Sequence, residues 1–201
     1  MSKLYGDSHR RLQREFDSER LADRIEARLL REQLGEDDRV FIERMNMFFL
    51  ATADAAGRPN CSYKGGDPGF VRVIDEHTLA FPNYDGNGMY ISMGNAALNA
   101  QVGLLFIDFE NQQRLRVNGL ARIEPAASLE PAYQDAQFIV KVTVRQVFPN
   151  CPRYIHKMQL VERSSFVPRA ALPTPVPGWK RMDWACDVLP AADPARTPEK
   201  N

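Results

Sequence analysis

Residues 101–123 read QVGLLFIDFENQQRLRVNGLARI. Gln101 to Phe109 is an apolar run of strand length, and Asn111-Gln112 is a polar turn. Arg114 to Ile123 then places Leu115, Val117, Gly119, Ala121 and Ile123 on one face, the period of two that marks a strand buried on one side. The same signature recurs on both sides of this pair. Met47 to Thr52 (MFFLAT) is an apolar strand, followed by a hairpin turn at Ala55-Ala56-Gly57-Arg58 and a strand from Asn60 to Lys64 that stops at Gly65-Gly66. Phe70 to Ile74 turns at Asp75-Glu76-His77 into Thr78 to Phe81, and Phe138 to Val147 is a further strand. Helices are predicted over Asn87 to Ala100, weakened by Gly94, and near Ser128 to Gln134. Strands this close in sequence leave no room for crossover helices, which excludes a doubly wound α/β fold. Many short antiparallel strands hide their edges best by closing, so the expected fold is mainly β (α+β), a closed or nearly closed barrel of about six strands.

Around this core the chain has an ordinary globular make-up. Its 201 residues suit one domain, and 44% hydrophobic with 26% charged residues excludes wholesale disorder. Lys+Arg and Asp+Glu both number 26, and the pI is near 6.8. That balance argues against nucleic-acid or membrane binding through bulk charge. No apolar run approaches the ~20 residues of a membrane span, and the opening MSKLYGDSHRRLQREF has no apolar signal-peptide core. Cys61, Cys151 and Cys186 form neither a CxxC pair nor an even framework, so a reduced, cytoplasmic protein is expected.

Residues 7–30 carry Leu12, Phe16, Ile25 and Leu29 at helical spacing among charges, and a shorter helix is predicted from Asp37 to Asn46, with acids at its start. The expected organisation is a helical extension over 1–46, the barrel over 47–167 and a tail over 168–201. Nine of the fourteen prolines lie from Pro149 onward, so the tail is expected to be extended, with its last ten residues mobile.

The familiar catalytic signatures are missing: no Walker loop, no GxSxG and no HExxH. His9, His77 and His156 stand far apart and away from the cysteines, so no metal site is expected and no catalytic side chain can be named. Two loops stand out. Ser62-Tyr63-Lys64-Gly65-Gly66-Asp67-Pro68-Gly69-Phe70 is a strand end entering a glycine-rich loop, and Phe81-Pro82-Asn83-Tyr84-Asp85-Gly86-Asn87-Gly88-Met89 leads into a helix. Glycines admit close approach of a ligand, a helix start offers free N–H groups to an anion, and Lys64 offers a point charge. Both loops also read as ordinary turns, where these residue types are expected anyway.

The ordered segments FLATADAAGRPNCSYKGG, PGFVRVIDEHTLAFPNYDGNGMYISMGN, VGLLFIDF and LRVNGLARI, spread over residues 45–125, resemble the pyridoxamine 5′-phosphate oxidase-related flavoproteins. The resemblance implies a split β-barrel that binds FMN at a homodimer interface. Position by position it implies cofactor contacts at Ser62, Tyr63, Lys64 and Gly65, at Phe81, Pro82 and Asn83, and at Asn87, Gly88 and Met89. Gly88 and Met89 stand where the authentic oxidases carry a basic pair, so Lys64 or Arg116 would take over the phosphate charge. Arg114, or the neighbouring Gln113, matches a position that reaches the cofactor across the dimer. Several of these residues equally suit plain structure: Arg114 and Arg116 as the wet face of a sheet, Tyr63 and Phe81 as packing, Met89 as filler.

Beyond Val147 the substrate-binding Arg and His of the authentic oxidases are missing, and Phe148-Pro149-Asn150-Cys151-Pro152-Arg153-Tyr154-Ile155-His156-Lys157 stands instead. Arg153 and His156 suit either an anionic substrate or the surface, Cys151 a small buried hydrophobe, and Trp179-Lys180-Arg181 a cover over the site or the dimer seam. The expected function is therefore an FMN-dependent oxidoreductase of undefined substrate. The alternatives are a flavin carrier or redox sensor without turnover, or a split-barrel enzyme using deazaflavin or haem.

Overall fold

The computed structural model describes residues 2–169 and 172–197. Its sheet has seven strands where about six were expected. They are β1 (Met47–Ala53), β2 (Pro59–Gly65), β3 (Arg72–Asp75), β4 (Thr78–Asn83), β5 (Gln101–Asp108), β6 (Gln113–Pro125) and β7 (Phe138–Pro149). They pair in the order β2-β1-β5-β6-β7-β4-β3, antiparallel throughout.

The sheet curls on itself. Phe48 on β1 and Phe81 on β4 are separated in the sheet by β5, β6 and β7, yet their rings meet edge to face at 5.0 Å. Phe106 on β5 and Phe70, just before β3, approach the same Phe48 ring at 5.2 and 5.9 Å. Leu50, Leu79, Leu104, Val117, Val140 and Val142 fill the interior around this cluster. Burying each such side chain contributes roughly 1.5–3 kcal/mol, so the aromatic cluster and its aliphatic shell are what hold the curl.

On β6 the inward residues Leu115, Val117, Gly119 and Ala121 are buried as predicted, whereas Ile123, near the strand end, is 37% exposed. β7 is kinked opposite Asn118 and Gly119, where the pairing skips Arg145; inward burial therefore passes from Val140, Val142 and Val144 to Val147. Gly119 is fixed by contact, since a Cβ there would lie 2.4 Å from the Thr143 carbonyl oxygen.

The helices depart from the sequence expectation at three places. The predicted helix over 7–30 is a hairpin of α1 (Asp7–Glu15) and α2 (Glu19–Leu29), broken where Asp17 takes φ 48°. Arg10 and Asp23 pair at 2.7 Å between the two. α3 (Glu36–Glu43) follows, with Asp38 accepting from Arg31 and from the Gly35 N–H. α4 (Ile91–Leu98) starts four residues later than predicted, because Gly88 and Tyr90 hold positive φ (73° and 48°) and keep 87–90 out of the helix. The helix predicted near 128–134 is not formed. Only a 3-10 turn, Ala126–Ser128, appears before Pro131, whose ring disfavours helical geometry in the residue ahead of it.

The chain divides into two compact units, Met1–Gln159 and Leu160–Asn201. The second is not simply extended. It contains 3-10 turns at Gly178–Arg181 and Pro194–Arg196, stacked Trp179 and Trp184 rings 5.8 Å apart, and a buried Lys180–Asp193 ion pair at 2.7 Å. Of the last ten residues, expected to be mobile, 192–197 carry the second of these turns, while 198–201 lie outside the described residues.

Candidate functional site

β2 is an edge strand, paired only with β1. Alternation puts Asn60, Ser62 and Lys64 on one face and Cys61 and Tyr63 on the other. The first face looks toward the start of α4, and loop 84–90 closes the third side. Between them lies a cleft of about 260 Å³.

Ser92, in the first turn of α4, organises its polar floor. Its Oγ donates to Ser62 Oγ at 2.9 Å and accepts from Asn60 Nδ2 at 2.9 Å. Asn60 Nδ2 also reaches Thr52 Oγ1 at 3.3 Å, and Asn95 Nδ2 donates to the same hydroxyl at 3.2 Å. This chain of small polar groups braces β2 and β1 against α4. The backbone N–H groups of Ile91, Ser92 and Met93 have no acceptor within the helix, so the helix presents its partial positive end here. Asn87 Oδ1 accepts from the Met89 N–H at 3.1 Å and fixes the turn that leads in.

Lys64 is the cation of this cleft. It is half-buried, its ammonium makes no hydrogen bond or ion pair among the described residues, and burial pushes the ammonium pKa below the ordinary lysine value. A desolvated cation without a counter-charge, beside free helix N–H groups and hydroxyls, is the donor set of an anion site.

The predicted site residues separate into two groups. Ser62, Lys64, Asn83, Asn87, Gly88 and Met89 come together in the cleft. Tyr63 lies on the outer face of the sheet, edge-on to Phe49 at 6.2 Å, and covers Gly65, where a Cβ would sit 2.7 Å from the Tyr63 ring. Phe81 and Pro82 are buried in the barrel. Arg114 and Arg116 project from the outer face as well, since Arg116 pairs in register with Leu105, which itself lies opposite Phe49. Arg116 packs over Phe148 at 5.9 Å, and Arg114 Nη2 donates to the Cys151 carbonyl at 2.6 Å beside a second cavity of about 290 Å³.

Sequence reasoning missed Asn60, Ser92, Tyr84 and Tyr90, which also line the cleft. Asn60 was legible by parity, two residues before Ser62. Ser92 was not, because placing the helix start at Asn87 put it one turn too deep. Tyr84 has its phenol pKa pushed up to about 12 by burial and by the Asp67 carboxylate, so it stays protonated at neutral pH.

The C-terminal motif sits apart from the cleft. Cys151 is exposed rather than buried, and its thiol pKa is lowered by a backbone hydrogen bond at Arg153, with the Arg153 and Arg114 charges assisting. Arg153 lies over the Tyr154 ring at 5.7 Å, and His156 is exposed. Among the described residues, no three His, Cys, Asp or Glu side chains converge on a metal-sized site, and no helix is long and apolar enough to cross a membrane.

A curled antiparallel sheet whose end strands β2 and β3 do not pair, with a polar cleft where β2 meets a helix start, defines a split-barrel protein. Residues 34–151 match the family described as Pyridoxamine 5'-phosphate oxidase, more than half of the chain, and the protein belongs to that family. Solved structures similar to it include HupZ from Group A Streptococcus, 19% identical over 58% of this chain and 93% of that one, with TM-score 0.46. The haem storage protein HutZ from Vibrio cholerae is 19% identical over 58% of this chain and 94% of that one, with TM-score 0.42. An FMN-binding protein from Syntrophomonas wolfei is 11% identical over 70% of this chain and 97% of that one, with TM-score 0.43. No curated protein matches.

Proposed function

We propose that the protein is an FMN-binding oxidoreductase of its family, acting in the cytoplasm as a homodimer, with the FMN phosphate held in the cleft between β2 and α4. The observation that carries this reading is Lys64, half-buried and with no side-chain partner among the described residues, where the first turn of α4 offers free N–H groups. Ser62 and Ser92 add hydroxyls, and Gly86 and Gly88 leave the loop backbone open to close approach. The charge that Gly88 and Met89 cannot supply thus comes from β2. Bound FMN supplies two-electron redox chemistry at its ring, while the protein binds and orients it.

One chain does not complete the site. A cleft of about 260 Å³ lies below the ~300–1,000 Å³ usual for ligand pockets. Arg114 and Arg116 stand on the outer face of the sheet, beside partly exposed Phe49, Tyr63 and Leu105. A second copy docked on that face would cover the apolar patch and bring both arginines toward the other copy's cleft.

The cleft wall contains no carboxylate and no imidazole, which favours a second reading, a flavin carrier or redox sensor without turnover. Absorbance spectroscopy of the purified protein, with and without added FMN, tests the first reading. The expected result is a flavin spectrum at about one FMN per chain in a dimer. A haem or deazaflavin spectrum, or no FMN binding at micromolar concentration, refutes it. Steady flavin reduction by NAD(P)H separates the oxidoreductase from the carrier.

A further inference from the structure

We propose that loop 84–90 is a gate over the cleft and that Gln137 is its latch; this rests on the FMN reading above. Loop residues from Tyr84 to Tyr90 supply about half of the cleft wall, yet 85–90 are all exposed. A Cβ at Gly86 or Gly88 would meet nothing within 4 Å, so the middle of the loop is not packed against the body of the protein. Gly88 and Tyr90 both hold positive φ, and a glycine at the first of these positions makes that backbone easy to rearrange.

One side chain ties the two ends of this loop together. Gln137 Oε1 accepts from Asn83 Nδ2 at 3.0 Å and from the Tyr90 hydroxyl at 3.0 Å, while its Nε2 reaches Asp85 at only 3.5 Å. The Gln137 N–H donates to the Asn83 carbonyl at 2.9 Å, which anchors the latch to β4. The Tyr90 ring lies 6.3 Å from that of Phe138, the first residue of β7. The Asn83 bond fixes the Gln137 amide to β4, and the same exposed amide holds the loop through the Tyr90 hydroxyl and the longer Asp85 contact. Few contacts of this kind let a loop open at small cost, and this loop walls the cleft through which the ligand's phosphate would enter.

Gln137→Met keeps the length of the side chain and removes both the acceptor and the donor. Because Gln137 is exposed, this variant should fold. Stopped-flow binding of FMN to the full chain should show Gln137→Met accelerating entry and release alike, each about five- to tenfold, with Kd changed less than about twofold. Tyr90→Phe, which removes the hydroxyl bond and leaves the Asp85 contact, should fall between. Hydrogen exchange of the amides of 85–90 in the protein without FMN should be faster in Gln137→Met. Unchanged rates and unchanged exchange overturn the latch, as does a Kd change arising from release alone, which would make Gln137 an ordinary contact. If the wild-type protein binds no FMN, the functional reading falls, and the exchange comparison still decides the latch.

Discussion

Replacing Lys64 by alanine removes the charge on which the FMN reading depends, and the structure sets the size of the effect. Among the described residues the ammonium has no protein partner, so the substitution breaks no internal ion pair and leaves no carboxylate uncompensated. A charge-assisted contact to phosphate contributes about 1.5–3 kcal/mol, so FMN affinity should drop roughly 10- to 150-fold. Fold stability should move the other way. A half-buried, unpaired ammonium is a desolvation cost in the free protein, so Lys64→Ala should unfold at the same temperature as wild type or slightly above it. Lys64→Arg should recover part of the affinity with altered geometry. The pH dependence follows from the direction of the shift. Burial lowers the Lys64 pKa in the free protein, and a bound phosphate favours the charged form. Affinity is therefore full below that lowered pKa and falls as pH rises through it, a slope that the alanine variant should lack. The desolvation cost follows the same sign: present below the folded pKa and relieved as pH rises from there toward the ordinary lysine value. Isothermal titration with FMN and thermal unfolding, each at several pH values, measure these effects. Unchanged affinity in Lys64→Ala would make Lys64 a solvated strand-end lysine and refute the assignment.

Four further outcomes are expected. Tyr63→Asp, on the outer sheet face and remote from the cleft floor, should shift the protein to monomer in sedimentation and lower its FMN content; a dimer with full flavin would show that this face is not the interface. Gly119→Ala should cost about 3 kcal/mol in denaturant unfolding, because its Cβ meets the Thr143 backbone rather than a side chain that can move. Ser92→Ala should lose about 1 kcal/mol of stability and weaken FMN binding, since Ser62 and Asn60 both lose a partner; equal affinity would remove Ser92 from the site. Pyridoxamine 5′-phosphate should turn over far below ~1 per second, because the tail lacks the charged Arg and His that grip this substrate; ordinary turnover would overturn that reading.

The barrel was legible in the sequence because strand alternation is a local property. In 101–123 each inward residue is a fixed two positions from the next, and burial at Leu115, Val117, Gly119 and Ala121 follows from that spacing alone. The resemblance likewise pointed to the loops around Lys64 and Asn87, six of whose ten named residues do meet in one cleft. Helix boundaries were less legible. The breaks at Asp17 and at 87–90 depend on positive φ values at residues such as Asp17 and Tyr90, whose side chains do not demand them.

By itself, then, the sequence determined the mainly antiparallel sheet, its turns and the parity of each strand, since these depend on neighbours a few residues apart. Tertiary structure decided which parity faces what. Ser62 and Lys64 turn to α4 while Tyr63, between them, turns outward, so residues adjacent in the chain cannot serve one cleft. It also decided that the Lys64 ammonium has no partner among the described residues and that Ser92, 30 residues from Ser62, joins Ser62 at 2.9 Å. Those facts follow from the curl of the sheet around Phe48, a contact among strands far apart in sequence, and no local pattern encodes them.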